Sequence, residues 1–193
     1  MRILLAVILA FSCITVQGCN KSRQAAREGK TSTQSKSLTQ ISYDIVERDS
    51  FTVMGTLTRI TPADENNEKY AAIWKAFEPY IDQIRPISTG WRCYGVDFAT
   101  KQQGVFDYLA GMGVQSDAVA PDPNLVTRKV PAARYAVFKC PYQDIGKTYQ
   151  DIFNNWLPKS RYEIDKTACS FEQYAMRGRE NRPVFIYIPI KNE

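Results

Sequence analysis

Histidine is absent from all 193 residues. That excludes a Ser-His or Cys-His nucleophile and any histidine-based metal site. Cysteine is sparse: beyond Cys13 and Cys19 near the N-terminus there are only Cys93, Cys140 and Cys169, none in CxxC or CxxH spacing. An odd set of three leaves two arrangements open, one disulfide with a spare thiol or three free thiols. Clustered basic charge is missing as well. All of the formal +5 sits in the first forty residues, and Ile41 to Glu193 balances at 19 basic and 19 acidic side chains. A phosphate-binding surface needs grouped Lys and Arg, so this balance argues against a nucleic-acid partner. No apolar run approaches the roughly 20 residues of a membrane-spanning helix.

The longest apolar run, Ile3 to Ile14, follows Met1-Arg2 and has the form of a secretion signal. Val16-Gln17-Gly18-Cys19 resembles the lipobox of bacterial lipoproteins, with an aliphatic residue three before the cysteine and a small residue just before it. On that reading residues 1–18 are removed and Cys19 is lipidated, with several acyl chains giving a firm anchor. Ordinary secretion with cleavage near Gly18 is the alternative. Cys13 is the poorer acceptor because it would cut the apolar run short. Residues 19–40 then form the lipidated Cys and a tether, since Asn20 to Gln40 holds almost no large apolar residue and cannot bury enough surface to fold. The expected location is the bacterial cell envelope, and Asn20 after the lipid cysteine fits outer-membrane sorting in a Gram-negative source.

Residues 41–193 suffice for one domain. Tyr43 to Val46 and Phe51 to Leu57 read as strands flanking a bend at Glu47 to Ser50, where Glu47 and Asp49 face solvent. Asn66 to Ile84 carries Tyr70, Ile73, Trp74, Phe77, Tyr80, Ile81 and Ile84 at helical spacing, and Pro86 ends it. Trp91 to Phe98 and Val105 to Val114 form a hairpin through Gly104. The pattern then recurs: extended structure over Thr127 to Cys140, a helix over Asp144 to Leu157 ended by Pro158, and a final strand pair. Each half is strand, helix, strand, strand, which reads as a duplication. Trp74 and Trp156 belong to the core of their halves.

In the final pair, alternation places Ser170, Glu172 and Tyr174 on one face, with Phe171 and Gln173 on the other. Val184, Ile186 and Ile188 oppose Phe185 and Tyr187 in the same way. If the two strands pair through the turn containing Gly178, one acid and one or two phenol rings line a concave surface suited to a flat or cationic organic molecule. The competing reading of Glu172 is a solvated strand residue paired with Arg177 or Arg179.

The series Val46-Glu47-Arg48-Asp49-Ser50-Phe51-Thr52-Val53-Met54-Gly55, Tyr94-Gly95-Val96, Tyr108-Leu109-Ala110-Gly111, Trp156-Leu157-Pro158, Phe171-Glu172-Gln173-Tyr174 and Ile186-Tyr187-Ile188-Pro189-Ile190 resembles the GyrI-like family, the effector-binding domain of AraC-type and multidrug-responsive regulators. The resemblance implies an α+β fold of duplicated βαββ modules, with antiparallel sheets, two helices and a ligand cleft between the modules related by a pseudo-twofold axis. It places Glu172 in the cleft and Tyr94, Phe106, Tyr108 and Tyr187 in its walls. It calls for no metal and no cofactor. The helix-turn-helix of the regulators is replaced by the signal and tether, so direct regulation of DNA is not expected. Three functions follow from the resemblance. The first is a membrane-tethered protein that captures or senses amphipathic, cationic or aromatic small molecules. The second is a hydrolase of strained cyclopropane-bearing electrophiles, with Glu172 as general base and Tyr108 or Tyr187 as hydrogen-bond donor. The third is a module that binds a protein partner.

Overall fold

A computed structural model describes residues 41–64, 66–175 and 183–192. The signal, Cys19, the tether and the turn carrying Arg177, Gly178 and Arg179 lie outside the described residues. The described chain holds nine strands: β1 Asp44–Arg48, β2 Phe51–Ile60, β3 Ser88–Ala99, β4 Phe106–Val114, β5 Val126–Val130, β6 Ala133–Cys140, β7 Tyr162–Ile164, β8 Ser170–Ala175 and β9 Val184–Asn192. Its α-helices are α1 Asn67–Phe77, α2 Ile81–Ile84 and α3 Ile145–Asp151. Asn66 starts α1 by accepting the Lys69 backbone N–H at 2.8 Å. The expected single helix to Ile84 is interrupted by a 3-10 turn at Glu78–Tyr80, where Pro79 removes a donor. The second helix passes from α3 into a π-helical turn, Ile152–Trp156. The three-residue β7, which pairs with β9, was not anticipated.

All pairings are antiparallel, in the order β1-β6-β9-β8-β3-β4-β2-β5. The two modules therefore merge into one sheet where β3 meets β8. This order forces curvature. β1 and β2 stand six positions apart in the row, which in a flat sheet is roughly 29 Å at 4.8 Å per strand. Only Asp49 and Ser50 connect them, and three residue steps reach at most about 11 Å. Pro131 and Ala132 impose the same condition between β5 and β6. The sheet must curl until its ends approach.

Curling divides the core in two. The outer face packs under the helices: Ile73 and Phe77 of α1, with Ile152 and Trp156, cover Met54, Met112, Phe138, Ile186 and Ile188. Trp156 is tied in by edge contacts to Tyr43 and Phe138, each with ring centroids 4.9 Å apart. Trp74 is only half-buried, with its ring 4.9 Å from that of Tyr174. Inside the curl lie Val53, Val96, Leu109, Val130, Tyr135, Val137, Phe171 and Tyr187. Each large apolar side chain buried in these layers contributes about 1.5–3 kcal/mol. Cys93, Cys140 and Cys169 form no disulfide with one another. No helix among the described residues is long and apolar enough to cross a membrane.

Two glycines separate packing from propensity. A Cβ on Gly55 would overlap the backbone of Ala110 and Gly111 on β4, whereas one on Gly146 in α3 meets nothing within 4 Å. Gly55→Ala is expected to cost about 1–3 kcal/mol in urea unfolding through overpacking. Gly146→Ala is expected to add about 0.5–1 kcal/mol. Equal effects from the two changes would contradict this account of the β2–β4 contact.

Candidate functional site

The central pairing of the sheet sets Glu172 of β8 opposite Gly95 of β3, with Ile186 of β9 on its other side. Alternation turns Glu172 toward the helices, where it is only 7 % exposed. Its Oε1 accepts a hydrogen bond from the Tyr149 hydroxyl at 2.5 Å, and its Oε2 accepts one from Tyr108 at 3.3 Å. Gly95 makes the approach feasible, because any Cβ there would overlap both the Tyr108 hydroxyl and Glu172 Oε2. No Lys or Arg faces Glu172 among the described residues. Instead the charge of Asp97, which pairs with Tyr108 and Ser170 on the same face, bears on Tyr108, Tyr149 and Tyr174.

Aromatic rings surround this acid in layers. Tyr70 meets Tyr108 edge-on at 5.1 Å, Trp74 meets Tyr174 at 4.9 Å, and Tyr149 stacks on Phe153 at 6.1 Å. The helices supply them symmetrically: Tyr70, Ile73, Trp74 and Phe77 recur at one constant offset as Tyr149, Ile152, Phe153 and Trp156. In each quartet the second and fourth residues enter the core, while Tyr149 bonds the acid and Tyr70, Trp74 and Phe153 pack on the tyrosines around it.

The four expected wall residues divide between the faces. Tyr108 touches Glu172, and Phe106 lies two residues along β4 on the same outer side, half-buried against the helix-covered core. Tyr94 and Tyr187 belong to the inner cluster with Phe171. The expectation that they share a concave surface with Glu172 is thus corrected. Their strands alternate out of phase with it: Tyr94 pairs with Gln173 and Tyr187 with Phe171, both neighbours of Glu172 in sequence. The alternative pairing of Glu172 with Arg177 or Arg179 lies outside the described residues, within which the carboxylate meets the Tyr108 and Tyr149 hydroxyls. Tyr149 and Trp74 look in the sequence like ordinary helix-core positions, and Asp97 carries no sequence signal. The repeated helix quartet is the feature that points to Tyr149, because it marks which aromatic positions the two halves share.

Burial pushes the Glu172 carboxyl from 4.5 up to about 7, against the two tyrosine hydrogen bonds that favour its ionised form. Burial, followed by the Glu172 charge, drives Tyr108, Tyr149 and Tyr174 well above 10, so all three remain hydrogen-bond donors at neutral pH. The acid therefore holds its proton more tightly folded than unfolded. Its contribution is fully present below pH 4.5 and declines as the unfolded chain ionises, until the folded carboxyl titrates near 7. At about 1.4 kcal/mol per unit the loss amounts to about 3 kcal/mol. Urea unfolding across pH 4.5 to 7.5 is expected to show this decline in the wild type and a flatter profile in Glu172→Gln; parallel profiles would contradict the raised value.

Comparison with known proteins agrees with this architecture. No curated protein matches the chain in sequence. Among solved structures, SAV2435 bound to tetraphenylphosphonium superposes with a TM-score of 0.65 at 16% identity, covering 78% of this chain and 94% of that one. The integron cassette protein VCH_CASS2 from the mobile metagenome of Vibrio cholerae gives 0.59 at 20% identity, covering 77% and 95%. The C-terminal domain of EcmrR gives 0.56 at 12% identity, covering 79% and 98%. At these identities the likeness establishes the fold. The family described as Cass2, integron-associated effector binding protein, matches residues 44–190. The chain belongs to this Cass2 family of effector-binding proteins, a GyrI-like family.

Proposed function

We propose that the protein captures amphipathic organic cations at Glu172 and is held at a membrane through lipid on Cys19. The observation that carries the reading is a buried carboxylate with no cation against it among the described residues, ringed by tyrosine hydroxyls and aromatic faces. A buried acid lacking a counterion is costly. A cationic ligand supplies the missing charge, and each ring face adds on the order of 0.5–2 kcal/mol of cation–π attraction. Asp97 reinforces the preference for positive charge. SAV2435, which shares the fold, was solved with a lipophilic phosphonium cation. Entry requires displacement of Tyr149, which already occupies Oε1. Its helix leads straight into the π-helical turn, the least regular part of the cover.

A second reading rests on the same acid. A carboxyl titrating near 7 is well placed as a general base at neutral pH, and Tyr108 and Tyr149 are suited to hydrogen-bond a developing oxyanion. Hydrolysis of a strained electrophile would follow from that arrangement. Tyr187, on the inner face, takes no part.

Thermal unfolding of the wild type is expected to shift upward with tetraphenylphosphonium, which at 100 times its dissociation constant adds roughly 2.7 kcal/mol of stability. Glu172→Gln is expected to lose most of that shift. Wild-type affinity should also fall as pH drops below about 7, by up to tenfold per unit, because the protonated acid must ionise to meet the cation. A shift retained in full by Glu172→Gln sinks the cation assignment. Turnover of a cyclopropane-bearing electrophile that Glu172→Gln abolishes and Tyr108→Phe slows would instead favour catalysis. Cys19→Ala is expected to abolish labelling by a fatty-acid analogue and release the protein from membranes; retention there would disprove the anchor.

A further inference from the structure

The inner face of the sheet holds the opposite charge. Arg48, the last residue of β1, extends into the curl with its guanidinium 4.8 Å from the ring centroid of Phe51, 5.2 Å from Tyr187 and 5.5 Å from Phe171. Those rings come from three strands, and Tyr94 joins them at 5.1 Å from Phe51. A guanidinium carries five N–H donors. Here one long hydrogen bond to the Tyr94 hydroxyl, at 3.4 Å, is in place, and no carboxylate pairs with Arg48 among the described residues. The side chain is half-buried, so part of the guanidinium reaches solvent.

A second, independent feature lies in the same cluster. Tyr135 is 0 % exposed, yet its hydroxyl has no hydrogen-bond partner. Its ring sits 5.2 Å from Phe171 and 5.8 Å from Tyr187, and its hydroxyl is close enough to feel the charge of Arg48. An unpartnered buried hydroxyl costs about 1–3 kcal/mol. The surrounding charge is also positive. Arg92 bears on Tyr94, and Arg128 lies 5.5 Å over Phe98. Asp107 on this face is taken by Arg59 at 2.9 Å, and the acids opposed to them are Asp44 near the edge and Asp165, whose charge bears on the Tyr135 hydroxyl together with that of Arg48.

From this we infer that the inner face is a binding site for a small aromatic carboxylate, anchored on Arg48, bounded by Phe51, Phe171 and Tyr187, and completed by the hydroxyls of Tyr94 and Tyr135. The carboxylate meets the open donors of the guanidinium, a geometry that arginine satisfies in bidentate fashion. The ligand ring extends the aromatic stack at the Phe51 rim. This site is separate from the acid on the outer face and prefers ligands of the opposite sign.

Calorimetric titration of the full chain in detergent with benzoate tests it, with acetate as comparator. Benzoate is expected to bind one per chain and more tightly than acetate. Arg48→Met, which retains a long side chain against the rings, should weaken it by about tenfold to a hundredfold. Tyr135→Phe removes an unpartnered hydroxyl, so it should leave the unliganded fold as stable or more so while lowering benzoate affinity. That variant serves where Arg48→Met fails to fold. Glu172→Gln should leave benzoate binding unchanged, which separates this site from the cation site. Absence of benzoate binding, equal affinity for acetate, or affinity unmoved in Tyr135→Phe overturns the inference.

Discussion

The pairing of Gly95 with Glu172 is the contact on which the rest of the molecule depends. It is the seam between two modules that would otherwise each have an open sheet edge, and it lies at the middle of the row of strands. The seam is asymmetric: one strand brings an acid and the facing strand brings no side chain. That asymmetry gives Tyr108 room to cross from β4 and reach the carboxylate. An alanine at position 95 would force the acid or the tyrosine aside. Backbone pairing, module assembly and the electrostatics of the site thus converge on one glycine.

A second constraint acts through chain length. The two-residue links between β1 and β2 and between β5 and β6 join strands from opposite parts of the row, so the sheet must curl. Curling gives the two faces different environments. The outer face is wide enough to take two helices, and it carries Glu172 with its tyrosines beneath them. The inner face is narrow, and rings from strands far apart in the row meet there. Arg48 contacts Phe51 from one side of the curl and Tyr187 from the other because the sheet has brought its ends together.

The sequence displayed these features unequally. Amphipathic spacing in α1 and α3, the Pro-terminated helices and the alternation in β8 and β9 arise from local periodicity, and they were legible to within a few residues. Duplication was legible because both halves repeat that periodicity. Register across strands is a long-range property, and it decides which aromatics share a face. Tyr94, Tyr108 and Tyr187 are equivalent as strand tyrosines in the sequence. Pairing to Gln173, Asp97 and Phe171 respectively sends the first and last inward and the second toward Glu172. Tyr149 sat within a helix stripe that reads as core, and its hydroxyl found Glu172 only through the packing of α3 on the sheet. The curl was hidden because strand order is invisible to periodicity.

Glu172 and Arg48 form a physical pair of opposites. Glu172 is almost fully and Arg48 partly withdrawn from water, each without an oppositely charged protein partner among the described residues, an arrangement that ordinarily destabilises. Glu172 answers the cost by accepting two hydrogen bonds and by holding its proton up to about pH 7. Arginine has no such recourse, since it stays protonated in proteins. It must instead spread its charge over ring faces, which is what Phe51, Phe171 and Tyr187 allow. Phe171 and Glu172 are consecutive residues of one strand, so a single backbone segment presents a ring to the cation inside and an acid to the tyrosines outside. β8, the strand that also forms the seam, thus borders both groups. A fold optimised only for stability would fill both positions with apolar residues. Retention of an acid at the centre of the sheet and of a cation against its inner rings is the physical argument that both faces are suited to ligands.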